Sequence, residues 1–176
     1  MRIVAGSRKG ARLFPPKGDT RPTGDRVREA AFNLIGPVDG ARVLDLFAGS
    51  GALGLEALSR GALSAVFVES DRDACKTIER NLEKLRLSGT VLCREALRAL
   101  TAEATAGRRY DLVLADPPYE MFSQLQTALS AYLPAVLDET GLLVLETDAR
   151  TEPDLPLAKR TSRRYGSARL TLFEHA

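Results

Sequence analysis

The chain has few residues that bind metals or form disulfides, with only two cysteines, Cys75 and Cys93, and one histidine, His175, among its 176 residues. Their spacing matches no familiar zinc site, and a disulfide framework is not expected from two cysteines. We therefore predict that the protein binds no metal. We expect both cysteines to be small buried apolar residues in a cytoplasmic protein, where thiols stay reduced.

Long apolar runs are also missing. No stretch approaches the roughly 20 residues that a membrane span needs, and the opening residues, MRIVAGSRKG, lack the apolar core of a signal peptide. Hydrophobic residues make up 44% of the chain and charged residues 27%, which is typical of a globular domain. We expect one domain, monomeric and without membrane contact, that buries roughly two-thirds of its unfolded surface.

Charge is distributed unevenly behind a net value of +2. Residues 1–28 contain eight basic and two acidic side chains, and residues 156–176 contain five basic and one acidic. The two ends therefore carry +6 and +4, and the middle of the chain carries −8. Basic ends suit a domain that holds a polyanion, although basic residues that merely solvate a surface give the same composition.

The first 22 residues are predicted to form a basic extension. Residues 2–5 and 11–14 have the pattern of two short strands around Gly6–Gly10. This pattern predicts a β-hairpin with Arg8 and Lys9 at its tip.

Residues 23–176 are predicted to form one α/β domain. It begins with a helix that Thr23 or Asp25 can cap and that runs to about Ile35. Strands and helices then alternate, which predicts a mostly parallel sheet with helices on both faces. The expected elements are strands at 42–47, 64–69, 90–94, 110–115 and 141–146, helices at 52–60, 71–87, 95–105 and 122–137, and a terminal hairpin of strands at 159–165 and 168–173.

The first candidate site is the glycine loop after the first strand, within Asp45–Gly54. Gly49 and Gly51 permit a tight turn and close backbone approach to a ligand, and Gly54 permits close packing of helix on sheet. The G-x-G-x-x-G pattern fits a dinucleotide enzyme equally well. A carboxylate inside an apolar strand needs a partner. For Asp45 the partner can be a cofactor, the loop that holds it, or simply the loop amides.

Two further acids follow neighbouring strands. Glu69 ends the second strand and can accept both ribose hydroxyls of an adenosine, in S-adenosylmethionine (SAM) or in a nicotinamide cofactor. Asp71 is better explained as a helix cap. Glu95 follows the third strand, where it can meet an adenine amino group or simply begin a helix.

The loop Asp116-Pro-Pro-Tyr119 follows the fourth strand and distinguishes a SAM enzyme from a nicotinamide enzyme. Two prolines stiffen the loop and remove two N–H donors. An exocyclic amine on a nucleobase is a poor nucleophile because its lone pair is delocalised into the ring. The Asp116 carboxylate and Pro117 carbonyl can accept hydrogen bonds from that amine and direct its lone pair at a methyl donor. Tyr119 can stack on the base. The alternative is a proline-rich turn without a catalytic role.

Three segments together resemble the bacterial RsmD-type family, whose members methylate N2 of a guanine in 16S ribosomal RNA. They are Arg21–Asn33, Asp45–Ala62 and Asp116–Tyr119. The similarity covers nearly the whole chain, including the basic N-terminal hairpin and the terminal Tyr165-Gly166 hairpin. It implies a Rossmann-like class I SAM methyltransferase fold, with a seven-stranded sheet ending in a β-hairpin. It also implies 16S rRNA, or a 30S subunit assembly intermediate, as the substrate.

The resemblance also implies residue roles. The target guanine would be held by Asp116, Pro117, Pro118 and Tyr119. SAM would be bound by Asp45, Phe47, Gly49, Ser50, Gly51, Glu69, Ser70, Glu95 and Ala96. RNA would be contacted by Arg8, Lys9, Arg12, Arg21 and Arg26, and the helix carrying Arg26 and Arg28 would lie near the cofactor's carboxylate or the RNA. The family commonly has aspartate where this chain has Glu95.

Three other functions remain open at this point. An adenine-N6 nucleic-acid methyltransferase would share the fold, because Asp-Pro-Pro-Tyr does not specify the base. A nicotinamide-dependent oxidoreductase would use the glycine loop. It would also need a proton donor, and the one histidine, His175, lies at the chain end. A non-catalytic RNA-binding assembly factor would keep the fold without turnover.

Overall fold

A computed structural model describes residues 1–18 and 24–176. The expectations for Arg21 as an RNA contact and for Thr23 as a helix cap lie outside these residues. Nowhere in the described part of the chain is there a helix long and apolar enough to cross a membrane.

One sheet organises the described residues. Its seven strands are β1 (Arg42–Leu46), β2 (Ser64–Glu69), β3 (Thr90–Cys93), β4 (Tyr110–Ala115), β5 (Leu137–Asp148), β6 (Ala158–Tyr165) and β7 (Ala168–Glu174). They lie in the order β3-β2-β1-β4-β5-β7-β6, and β7 runs antiparallel to both of its neighbours. The predicted doubly wound sheet with a terminal hairpin is confirmed. Because the strand order reverses between β1 and β4, a crevice opens between the loops that follow them.

Five α-helices cover the two faces of the sheet in the described residues. They are α1 (Asp25–Ile35), α2 (Ala52–Ser59), α3 (Arg72–Leu85), α4 (Ala96–Thr105) and α5 (Phe122–Val136). The apolar strand residues alternate between the faces, as the two-residue period of a strand requires. Val43 and Leu112 pack with α1, α2 and α3, whereas Leu44 and Val113 pack with α4 and α5.

Helix starts were predicted correctly in one case and wrongly in another. The carboxylate of Asp71 accepts a hydrogen bond from Ala74 N at 2.8 Å, so Asp71 caps α3 as expected. The cap position of α1 is Gly24, and Asp25 is already inside the first turn. Asp25 does not cap the helix because the helix already begins there, and its carboxylate pairs with Arg28 at 2.9 Å.

Strand β5 begins four residues earlier than the predicted strand at 141–146. α5 ends at Val136 and the chain enters β5 directly at Leu137, which pairs with Tyr110 of β4. The register then shifts between Tyr110 and Leu112, so the polar residues 138–140 lie in an irregular part of the strand. Polar residues of this kind favour a turn over a strand, and the pairing of β5 with β4 overrides that local preference.

The N-terminal segment folds back on itself, as expected, but with little strand structure. The two predicted strands reduce to one bridge between Arg2 and Arg12. Ile3 and Leu13 are buried in the apolar cluster that also contains α1 and α2. The segment is therefore packed into the domain instead of projecting from it.

Candidate active site

The glycine loop after β1 has an unusual backbone. Phe47, Gly49 and Gly51 all have positive φ, at 58°, 57° and 82°. Glycine adopts this conformation readily, but a bulky residue such as Phe47 is strained there, and such strain is concentrated at ligand sites. The turn is closed by a hydrogen bond from Gly51 N to Ala48 O at 2.8 Å. The loop thus has the tight turn that the glycine spacing predicted.

Asp45 is buried below this loop, with 1% of its surface exposed. Its carboxylate accepts a hydrogen bond from Gly54 N, in the first turn of α2, at 3.0 Å. The partners predicted for Asp45 were a cofactor, the loop that holds it, or backbone amides. Among the described residues, the partner is the backbone amide of Gly54. Burial raises the pKa of Asp45 well above its usual value; the bond from Gly54 opposes the shift, and the charges of Asp116 and Glu69 add to it. Three carboxylates therefore share this edge of the sheet.

Gly54 allows α2 to approach the sheet closely. A Cβ at this position would lie 2.4 Å from Phe67 Cε1 and 3.0 Å from Asp45 Oδ2. The predicted packing role of this glycine is therefore confirmed by the geometry.

Glu69 connects the loops that follow β1 and β2. Its carboxylate accepts hydrogen bonds from Gly49 N at 2.8 Å and from Asp71 N at 3.0 Å. The side chain is half-buried, so its two oxygens are held at the mouth of the crevice. An oxygen that accepts one hydrogen bond keeps a second lone pair. The predicted contact of Glu69 with a ribose diol remains a prediction.

The end of β3 is more exposed than expected. Cys93 is exposed because β3 is an edge strand, so its expected burial is wrong. Cys75 is buried as expected, and its thiol donates to Glu69 O at 3.2 Å. Burial, together with the neighbouring Cys93 thiol, raises the pKa of Cys75 to about 12. Glu95 is exposed and lies 3.8 Å from Arg98.

The two remaining cofactor candidates flank these acids. Ser70 is exposed directly after β2, and Ala96 is buried as the first residue of α4.

The loop after β4 faces the glycine loop across the crevice. Asp116 and Tyr119 are half-buried, Pro117 is buried and Pro118 is exposed. The hydroxyl of Tyr119 donates to Glu146 Oε1 at 2.8 Å, and Glu146 is 8% exposed on β5. This bond fixes the aromatic ring relative to the sheet. Sequence reasoning missed Glu146, although an acid within an apolar strand is the same signal that singled out Asp45.

Glu56 of α2 holds the N-terminal segment against the domain, a role for which no sequence pattern is a signal. Its fully buried carboxylate accepts hydrogen bonds from Val4 N and Ala5 N, both at 2.9 Å. It also accepts from Arg60 Nε at 2.9 Å and Arg28 Nε at 3.4 Å. One carboxylate therefore accepts hydrogen bonds from two backbone amides and two guanidinium groups.

Arg28 is fully buried in this cluster. Besides Glu56, its guanidinium contacts Asp25 and the carbonyl oxygen of Arg2. The position of this helix near the cofactor's carboxylate or the RNA remains a prediction, but the Arg28 guanidinium itself faces the protein interior. A fully buried cation is stabilised by partners inside the protein, and Arg28 has them there.

Asn81 of α3 connects the N-terminal segment to the glycine loop. Its Oδ1 accepts from Phe14 N at 2.7 Å, and its Nδ2 donates to Ser50 O at 3.1 Å. Ser50 is buried, and its hydroxyl lies 3.9 Å from Met1 Sδ. The N-terminal segment thus supports the glycine loop from below.

The RNA-contact candidates differ in exposure. Arg8 is half-buried, and its Nε donates to Leu85 O at 2.5 Å, at the carboxyl end of α3. This guanidinium hydrogen-bonds helix carbonyls while remaining partly exposed, so its contact with RNA remains a prediction. Lys9, Arg12 and Arg26 are exposed and remain candidates.

Comparison with known proteins gives the family. The model described as Conserved hypothetical protein 95 matches residues 1–174. The chain is 36% identical to ribosomal RNA small subunit methyltransferase D of Haemophilus influenzae, over 89% of this chain and 81% of that protein. The chain belongs to the RsmD family. It is also 41% identical to the Escherichia coli K12 protein of the same name, over 68% of this chain and 60% of that one.

Among solved structures, the RsmD-family chain resembles the T. thermophilus 16S rRNA N2 methyltransferase RsmC, solved in complex with AdoMet and guanosine. The TM-score is 0.71 at 25% identity, and the match covers 91% of this chain and 44% of that one. The shared fold places a ligand-binding edge at the carboxyl ends of the strands.

Proposed function

We propose that this RsmD-family protein transfers a methyl group from SAM to the exocyclic N2 amine of a guanine in 16S rRNA of the small ribosomal subunit. The observation that carries the proposal is the position of Asp116 and Tyr119. They lie at the carboxyl edge of β4, opposite the strained glycine loop, with Tyr119 anchored to Glu146 at 2.8 Å.

The residues at this edge fit SAM as the cofactor. Burial is the main cause of the raised pKa of Asp45, and the neighbouring charges of Asp116 and Glu69 raise it further. A positively charged ligand relieves such repulsion, because an opposite charge favours ionised carboxylates. Bound SAM supplies an activated methyl group on a cationic sulfonium. Glu69, half-buried at the mouth of the crevice, is the acceptor that the ribose diol requires.

Asp116 and Pro117 would position the target amine. The Asp116 carboxylate and the Pro117 carbonyl accept hydrogen bonds from the two N–H groups, which favours a pyramidal nitrogen with its lone pair directed out of the ring plane. The two prolines keep both acceptors in place before the base arrives, so little reorganisation is needed during the reaction. Tyr119, held by Glu146, offers its ring for stacking on a base extruded from the RNA.

The choice of base and RNA is supported by the relatives. Two relatives are named small subunit methyltransferase D, and the RsmC structure contains guanosine. A guanine amine presents the same two N–H donors as an adenine amine, so the chemistry of Asp116 serves either one. Analysis of the methylated nucleoside therefore distinguishes N2 of guanine from N6 of adenine.

Methyl transfer from labelled SAM tests the proposal. The acceptors are 16S RNA and 30S particles that lack this modification, and the product nucleosides are then separated. We expect label in N2-methylguanosine. For Asp116→Ala we expect the rate of methyl transfer to fall by about 100-fold or more. Asp154→Ala, which removes an exposed aspartate outside the crevice, is the control.

Two results would contradict the proposal in different ways. Label in N6-methyladenosine would keep the mechanism and overturn the base. Absence of label in any RNA, despite SAM binding, would favour the assembly-factor alternative.

A further inference from the structure

Strand β6 is strongly basic and lies at the edge of the sheet. Its eight residues contain four basic side chains and no acidic one, namely Lys159, Arg160, Arg163 and Arg164. All four are exposed. Lys159 pairs with Glu152 at 3.0 Å, whereas the three arginines form no ion pair with any residue in 1–18 or 24–176. Arg163 therefore lies at this edge without an ion-pair partner in the described residues, whereas the charge of Arg164 acts on Glu152 together with those of Lys159 and Arg169.

The strand pairing directs Arg163 to the face of the sheet that carries the site. Both β5 and β6 run antiparallel to β7, so β6 runs in the same direction as β5 and ends at the same carboxyl edge. Arg163 pairs with Leu170 of β7, and Leu170 pairs with Glu146 of β5. Directly paired residues project from the same face. Arg163, Leu170 and Glu146 thus form one row across the sheet.

This row of residues ends beside the loop Asp116–Tyr119. Glu146 accepts the hydrogen bond from Tyr119, and a small cavity touches both Glu146 and Ala115, the residue before Asp116. Two strand spacings separate Arg163 from Glu146, which is about 10 Å between their Cα atoms. Only strand β7 therefore separates Arg163 from Glu146, the residue that anchors Tyr119.

The neighbouring arginines are placed differently. Arg164 pairs with Arg169, one residue out of step with Arg163, and therefore projects from the opposite face. Arg160 lies near the start of β6, where the register shifts between Lys159 and Thr161. It is therefore at the far end of the strand from the carboxyl edge. Arg163 is the β6 arginine that projects from the same face as Glu146 and lies near the carboxyl edge of the sheet, where Asp116 and Tyr119 lie.

We propose that Arg163 binds a backbone phosphate of a nucleotide next to the target guanine, which makes β6 an RNA-binding surface separate from the N-terminal extension. The inference rests on the proposed function, since it takes Asp116 and Tyr119 as the place of the target base. The chemistry fits because a guanidinium offers a planar fork of donors that matches phosphate oxygens. RNA supplies such phosphates on both sides of an extruded base.

The test compares Arg163→Gln with Arg160→Gln, which removes the same charge from the same strand. RNA affinity is measured by filter binding of 16S RNA across a salt series, and methyl transfer is measured in parallel. For Arg163→Gln we expect KM for RNA to rise about fivefold with kcat within about twofold, because a phosphate contact binds ground and transition states alike. The salt slope should fall by about 0.7 to 0.9, the value of one phosphate contact. SAM affinity should be unchanged.

The possible failures are distinguishable. If Arg163→Gln and Arg160→Gln have the same RNA affinity and salt slope while the wild-type chain methylates RNA, the inference about Arg163 is overturned and the proposed function stands. If the wild-type chain binds 16S RNA through Arg163 but transfers no methyl group, the proposed function is overturned and Arg163 remains an RNA contact. If the wild-type chain does neither, both are overturned.

Discussion

Replacing Glu56 by glutamine should destabilise the protein strongly. Glutamine keeps the size of the side chain but presents an NH₂ group to donors, and it removes the negative charge beside Arg28. Both Glu56 and Arg28 have fully buried side chains, 3.4 Å apart. Removing one partner of a buried ion pair costs about 3–5 kcal/mol, because the other charge stays buried without compensation. Asp25 also pairs with Arg28, but its side chain is 48% exposed, so it compensates weakly.

The size of the effect can be measured by thermal and urea unfolding. For a chain of this length, 1 kcal/mol shifts Tm by about 2–4 °C, so we expect Glu56→Gln to lower Tm by roughly 6–20 °C. Amide hydrogen exchange should show where the structure opens, since Val4 N and Ala5 N both donate to this carboxylate at 2.9 Å. Those two amides should lose protection first.

Glu29→Gln is the matched control, because Glu29 is an exposed acid on α1. Its unfolding free energy should stay within about 0.5 kcal/mol of the wild type. If Glu56→Gln loses less than about 1 kcal/mol, or if exchange at Val4 and Ala5 is unchanged, the carboxylate does not hold the N-terminal segment and the reasoning is refuted.

Two further predictions concern the site. Gly54→Ala should lower the unfolding free energy by about 1–3 kcal/mol in urea, since its Cβ would meet the Phe67 ring at 2.4 Å. A loss of less than about 0.5 kcal/mol would contradict the packing argument. The wild type should lose stability as pH rises from about 4, because the raised pKa of Asp45 means that this carboxyl ionises in the unfolded chain before it ionises in the folded one. Asp45→Asn lacks the carboxyl and should therefore become more stable relative to the wild type over the same range. Melting curves across pH check this, and a difference independent of pH would contradict it.

The parallel sheet was predictable because its signals are local. Apolar runs such as Arg42–Leu46, and the periodic pattern of Arg72–Leu85, mark strands and helices within a few residues. Alternation of those elements then leaves few topologies, since parallel strands need crossover helices. The errors occurred where a tertiary contact overrides local preference, as at the start of β5, which pairs with Tyr110 of β4.

The site was predictable in part for the same reason. Asp116 follows a buried strand and Gly49 lies in a recognisable turn pattern, so local sequence alone assigns both to one edge of the sheet. Cys93 was expected to be buried and is exposed, because its strand lies at the edge of the sheet and not in its middle. Strand order across the sheet is a property of the folded chain alone.

Sequence alone determined the class of fold, the glycine loop and the proline-stiffened loop, because each depends on residues that are neighbours in the chain. Tertiary structure alone decided the roles of the buried polar residues. Glu56 is 51 residues from Ala5, and Asn81 is 67 residues from Phe14. Whether such a side chain is exposed, paired or placed beneath a ligand loop depends on which distant backbone groups it meets. A polar residue on a helix looks the same in the sequence in all three cases.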